Sequence, residues 1–162
     1  FGANTAAIVV GQVLALKLIA GRRRSAMLAL CALVWCLAWS IIASSALFPG
    51  TGALVAVIVG LGVFGIGETL WAPVAPAIIN GLAPEGLRGR YNALQGMTWT
   101  VSTIVGPALA GMLMGNHMHR VWVGLTVGGT AVGSLLLLSL RRHLTPAQDG
   151  LAQGATPTGV PR

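Results

Sequence analysis

The sequence predicts an all-α fold, a polytopic transmembrane bundle of five helices, from three observations. Charged residues make up only 8% of the 162 residues, whereas hydrophobic ones make up 55%. Five apolar stretches reach the roughly 20 helical residues that the hydrocarbon core of a bilayer requires. The basic clusters between those stretches fall in alternate connections rather than in all of them. A soluble domain of this length could not cover its surface with so little charge, and positions 25–67 hold no Asp, Glu, Lys or Arg at all.

The first span, residues 3–20, stops at Gly21-Arg22-Arg23-Arg24. The second, 25–47, ends in Phe48-Pro49-Gly50-Thr51-Gly52, an uncharged helix-breaking turn. The third, 53–82, is long enough to tilt, and Pro73 and Pro76 each remove a backbone donor inside it, which predicts a bend. A polar loop, Ala83-Pro84-Glu85-Gly86-Leu87-Arg88-Gly89-Arg90, leads to the fourth span, 91–115. A short turn from Asn116 to Arg120 leads to the fifth, 121–140, which ends at Arg141-Arg142-His143. The bundle is thus expected over residues 1–146. In 147–162, Gly, Ala, Thr, Gln and Pro predominate without apolar periodicity, which predicts a disordered tail.

Consecutive spans must alternate direction, and this places Arg22, Arg23, Arg24, Arg88, Arg90, Arg141 and Arg142 on one side of the membrane against Arg120 on the other. The positive-inside rule makes the first side, and with it the C-terminus, cytoplasmic in a plasma or inner membrane. Trp122 then lies at the outer interface, where an indole is favoured. The same distribution argues against nucleic acid as a partner despite a net charge of +7. Nine arginines and one lysine scattered between apolar segments make no stripe that could follow a phosphate backbone. The chain opens at Phe1 without an initiator Met or a basic leader, which predicts a piece of a longer protein.

Little in the sequence points to catalysis. Cys31 and Cys36 lie within one apolar span with no further ligand nearby and read as buried apolar residues. His117 and His119 lack a third ligand, and no nucleophile constellation or phosphate loop is present, so neither an enzyme nor a bound cofactor or metal is expected. Lys17 sits about one turn inside the cytoplasmic end of the first span and can snorkel to the interface.

The residue that stands out is Glu68, the one acid inside a span, flanked by Thr69 and Trp71 and preceded by Gly60, Gly62, Gly65 and Gly67. At 1.5 Å per residue it lies about 20 Å from the cytoplasmic end of its helix, near the membrane midplane. An ionised carboxylate facing lipid there costs about 2.5–3.5 kcal/mol or more, so Glu68 is expected to face the bundle interior or a wet cavity and to bind a proton reversibly. The alternative is a neutral Glu hydrogen-bonded to a neighbouring helix. The glycines suit close helix contact and local bending, with Gly65 and Gly67 flanking the acid and Pro73 and Pro76 freeing carbonyls beyond it. In the fourth span Gln95, Trp99, Ser102 and Gly106 share one face, polar and aromatic enough to line a substrate path; the alternatives are a core-packing role for Trp99 and a solvated Gln95 at the helix end. Ser102, Gly106 and Ala110 also form a small-residue ridge beside Pro107.

Together, Gly67-Glu68-Thr69, Pro73, Leu82-Ala83-Pro84-Glu85 with Arg88-Gly89-Arg90-Tyr91, and Gly106-Pro107 with Gly111 resemble helices ten and eleven of major facilitator superfamily transporters of the drug-efflux type. Gly21-Arg22-Arg23 resembles that family's cytoplasmic basic motif, although Leu18 occupies the motif's acidic position. The missing acid, the absence of an intramembrane Arg in the third span and the polar tail favour helices eight to twelve, the C-terminal half. Gly106-Pro107-Ala108-Leu109-Ala110-Gly111 partly matches an antiporter motif of the other half. The resemblance implies proton-coupled efflux of a small amphipathic substrate by alternating access. Glu68, Thr69, Trp71, Gln95, Trp99 and Ser102 would then lie at the coupling site and cavity. Gly65, Gly67, Pro73, Pro76, Arg88, Gly89, Arg90, Gly106 and Pro107 would serve as hinges or gates, and an N-terminal half would complete the path. A facilitator or importer of the same fold, or a membrane scaffold that transports nothing, are the competing expectations.

Overall fold

A computed structural model describes residues 2–151. The five expected spans are five helices: α1 (Gly2–Ile19), α2 (Arg24–Ser44), α3 (Thr51–Leu82), α4 (Arg88–Gly115) and α5 (His119–Leu140), with one 3-10 turn, Ser45–Leu47, after α2. All five are long and apolar enough to cross a membrane, and the described residues contain no strand. The breaks between helices follow local chemistry. Gly21 (φ +70°) and Gly50 (φ +54°) take left-handed conformations that reverse the chain before α2 and α3, a geometry costly for any residue with a Cβ.

Packing is uneven. α2 and α3 form the centre, where Met27, Leu28, Val74, Ala75 and Ile78 make one buried cluster and Ala15, Cys31 and Leu70 a second. α1 lies against α3, and α5 lies against α2. Outward-facing apolar residues such as Val9, Val10, Leu14, Leu135 and Leu136 are those a bilayer would cover. α4 touches α3 and α5 only sparsely and buries a single residue, Leu113. Its hydroxyls fold back on the helix itself: Thr98, Thr100, Ser102 and Thr103 donate to the carbonyls of Gln95, Gly96, Thr98 and Thr100 at 2.7–3.0 Å. Internal pairing of this kind lets a polar helix stand in a membrane without a partner for each side chain.

Several sequence-based boundaries shift. Arg88, Gly89 and Arg90 belong to the first turn of α4 rather than to the preceding loop, because the Arg90 and Tyr91 amides already bond the Leu87 carbonyl at 2.9 and 3.1 Å. α3 begins at Thr51 and is one helix continuous through Pro73 and Pro76. Cys31 is fully buried and donates to the Gly67 carbonyl at 3.2 Å, whereas Cys36 is only half-buried and faces the Val127 carbonyl of α5 at 3.7 Å. The expected ridge of Ser102, Gly106 and Ala110 meets no helix here, since a Cβ on Gly106 would have nothing within 4 Å.

Residues 147–151 of the expected disordered tail are among the described residues. Residues 145–150 form a turn braced by Gln148, whose Oε1 accepts from the Thr145 amide and hydroxyl at 3.0 Å each. Asp149 then reaches back to the start of α2, and that anchoring orders the segment. Residues 152–162, the rest of the expected tail, lie outside the described residues.

Candidate functional site

Glu68 is half-buried on α3 and faces α1. Its Oε2 accepts a 2.7 Å hydrogen bond from Asn4 Nδ2, a partner that the sequence reading did not single out. The signal was present in principle, since Asn4 is the sole amide before Gln12 in α1 and lies in an apolar span where a lone amide needs a partner. The carboxyl and the amide meet because Gly65, one turn before Glu68, lets the two backbones approach. A Cβ on Gly65 would come within 2.6 Å of the Asn4 carbonyl oxygen. Gly67 serves α2 in the same way, as a Cβ there would collide with the Trp35 indole. Gly60 is likewise packed against Ile42 of α2, whereas Gly62 points into open space.

Beside Glu68 stands an aromatic stack. Trp35 of α2 donates from Nε1 to the Phe64 carbonyl at 3.1 Å and stacks on the Phe64 ring with centroids 5.3 Å apart. Trp71, one turn beyond Glu68, tilts against Trp35 at 5.5 Å. The other face of Trp71 closes a cavity of about 470 Å³ whose remaining walls come from α4: Asn92, Gln95, Gly96, Thr98, Trp99 and Ser102. Gln95, Trp99 and Ser102, which share a face by spacing, therefore meet Trp71 around one space. The indole of Trp99 is 66% exposed and offers its ring to whatever enters. Where the two helices meet the loop between them, Asn92 Nδ2 donates to Asn80 Oδ1 at 2.8 Å and to the Arg88 carbonyl at 3.0 Å, fixing the start of α4 to the end of α3.

The other expected residues lie elsewhere. Glu68 is not in the wall of this cavity, although it shares α3 with Trp71. Thr69 turns away toward a separate apolar pocket with Ala7, Gly11 and Leu70, and its hydroxyl donates to its own helix at the Ile66 carbonyl, 2.7 Å. Arg88 and Arg90 are exposed in the first turn of α4, and Gly106 and Pro107 lie in its second half, beyond the cavity. The chemistry available is thus a carboxyl–amide pair on one side of an aromatic stack and an uncharged pocket of amides, hydroxyls and indoles on the other. No group of three or more potential metal ligands occurs among the described residues.

A family model described as Major Facilitator Superfamily matches residues 1–160. The chain belongs to the major facilitator superfamily. It is accordingly a multi-pass membrane protein of the transporter class, and its small-molecule cargo and bilayer setting follow from that membership. Neither a curated protein nor a solved structure matches the chain.

Proposed function

We propose that this chain forms helices eight to twelve of a proton-coupled exporter of small amphipathic molecules in a plasma or inner membrane, completed by an N-terminal half. The observation that carries this reading is Trp71, which stands one helical turn from the Glu68–Asn4 pair and also forms the α3 wall of the cavity. A cargo pressing on Trp71 and a proton arriving at Glu68 both bias the same segment of α3, so each changes the affinity for the other by linkage. The uncharged, aromatic lining suits a lipophilic cation or a neutral amphipath: Trp99 supplies a ring face, and Gln95 and Ser102 supply polar contacts. The sparse packing of α4 supports the missing-half reading, since a transmembrane helix with a polar face and one buried residue needs cover from elsewhere.

Binding of tetraphenylphosphonium to the complete transporter in detergent tests the cavity. Trp99→Ala removes a partly exposed ring worth about 0.5–1 kcal/mol to a bound cation, so affinity should fall by about two- to fivefold. Gly62→Ala, remote from the cavity, should leave it unchanged. Unaltered binding in the Trp99 variant would remove α4 from the cargo path.

Orientation rests on the arginine asymmetry and is checked separately. In a version with Cys31 and Cys36 replaced by Ala, single cysteines at Thr51 and Asn116, both exposed beside turns, should react with a membrane-impermeant maleimide added outside intact cells. A cysteine at Glu85 should react only after the membrane is opened. Labelling of position 85 from outside would invert the proposed topology.

A further inference from the structure

The start of α2 poses an electrostatic problem that the fold solves from a distance. Arg22, Arg23 and Arg24 crowd the positive end of the α2 dipole, and the N-cap residue, Arg23, makes no side-chain cap. No acid answers them from the α1–α2 connection or from the last turn of α1, where Leu18 stands. Asp149, from beyond α5, occupies the end of the helix. Its carboxylate is 1% exposed; Oδ1 accepts from the Ser25 amide at 2.7 Å and Oδ2 from the Ser25 hydroxyl at 3.0 Å, while Arg23 Nη1 stands 3.8 Å away. The Asp149 carbonyl accepts from the Arg24 amide at 2.9 Å. The Arg24 guanidinium donates to the carbonyls of Ala77 in α3 and Gln148 in the turn, at 3.3 and 3.4 Å. Gly150 lies flat on the Arg24 side chain, where a Cβ would approach it to 3.1 Å.

We propose that residues 145–150 are a releasable cytoplasmic strap, with Asp149 as the clasp that holds the start of α2 against the end of α3. The segment is built to leave as a unit. Its internal bonds between Thr145 and Gln148 do not depend on the bundle, and its attachment converges on one carboxylate and one arginine. Fastened, it ties α2, α3 and α5 at the cytoplasmic face while leaving out α4. Unfastened, it frees the first turn of α2 to move and releases Arg23 and Arg24 from their partners in the strap. Resting on the transporter reading, the inference adds that the strap opens during turnover, when the cytoplasmic ends of the helices must rearrange.

Hydrogen exchange gives a direct readout. First-turn amides of a helix have no intrahelical acceptor, so protection at Arg24 and Ser25 arises from the strap. Arg88 and Gly89, in the first turn of α4 with no side-chain cap, provide an internal control. In the complete protein in lipid nanodiscs, Arg24 and Ser25 should exchange far more slowly than Arg88 and Gly89. Asp149→Ala, or a stop codon at Thr145, should abolish the difference, and Asp149→Asn, which keeps one acceptor but no charge, should give an intermediate rate. Exchange at Arg24 and Ser25 that matches the control, or that ignores Asp149→Ala, would overturn the clasp. In proteoliposomes with an imposed pH gradient and tetraphenylphosphonium, protection should fall during turnover. Unchanged protection while the probe is being moved would overturn the release step. If the unmodified protein moves no probe, the transport reading fails, and the clasp is still decided by the Asp149 variants.

Discussion

Glu68→Gln should reduce proton-driven accumulation of cargo to equilibrium while leaving the folded protein intact. One pH unit is worth about 1.4 kcal/mol, so each coupled proton can support about tenfold accumulation across a one-unit gradient. Gln cannot release a proton and should bring that ratio to about one. The substitution is unusually clean here, because the amide oxygen of the replacement side chain can accept the same bond from Asn4 that Glu68 Oε2 accepts at 2.7 Å. Shape, volume and the α1–α3 link are kept, and only titration is lost. Flux of tetraphenylphosphonium in proteoliposomes, measured with and without an imposed gradient, separates coupling from passage. Exchange at equal pH on the two sides should persist in the variant, since a permanently neutral side chain crosses the midplane without the cost of a charge. Gradient-driven accumulation by the Gln variant at the level of the unmodified protein would leave Glu68 as a structural partner of Asn4 and nothing more.

The parts of this molecule that were legible in advance are those set by the bilayer. Five spans and their breaks follow from length, apolarity and turn residues, and each of the five became a helix because backbone groups in hydrocarbon have no other local solution. Glu68 was conspicuous for the same reason, as an acid where acids are expensive. Its partner was not. Asn4 is separated from it by 64 residues, and no spacing rule connects the two; only the register of α1 against α3, set by Gly65, does. The cavity shows the same division. Helical spacing brought Gln95, Trp99 and Ser102 onto one face, but Thr69 and Trp71, two residues apart on α3, go to different pockets, as positions two apart on a helix must. Asp149 was hidden by composition, since a Gly- and Pro-rich neighbourhood reads as disorder until a charged helix end is found for its one acid to bind.

Gly65→Ala should therefore do more damage than its single methyl suggests, and Gly62→Ala, one turn earlier on the same helix, should do the opposite. Gly to Ala in a helix interior ordinarily stabilises by about 0.5–1 kcal/mol, because Gly loses more backbone entropy on folding. Gly62 faces open space and should show that gain. At Gly65 the new Cβ would sit 2.6 Å from the Asn4 carbonyl oxygen and 3.1 Å from the Ala7 Cβ, and the nearer of these is backbone, which cannot rotate away. α1 must shift outward, at the cost of about 1–3 kcal/mol typical of overpacking. That shift lengthens the Asn4–Glu68 bond, leaving a carboxyl without its partner in the span. Thermal unfolding in detergent should order the three proteins as Gly62→Ala above unmodified above Gly65→Ala. Asn4→Ala should cost the Gly65→Ala variant less than it costs the unmodified protein, because the bond it removes is already weakened. Equal stabilities for the two alanine variants would mean that α1 does not rest on α3 at Gly65, and the pairing of Glu68 with Asn4 would fall with it.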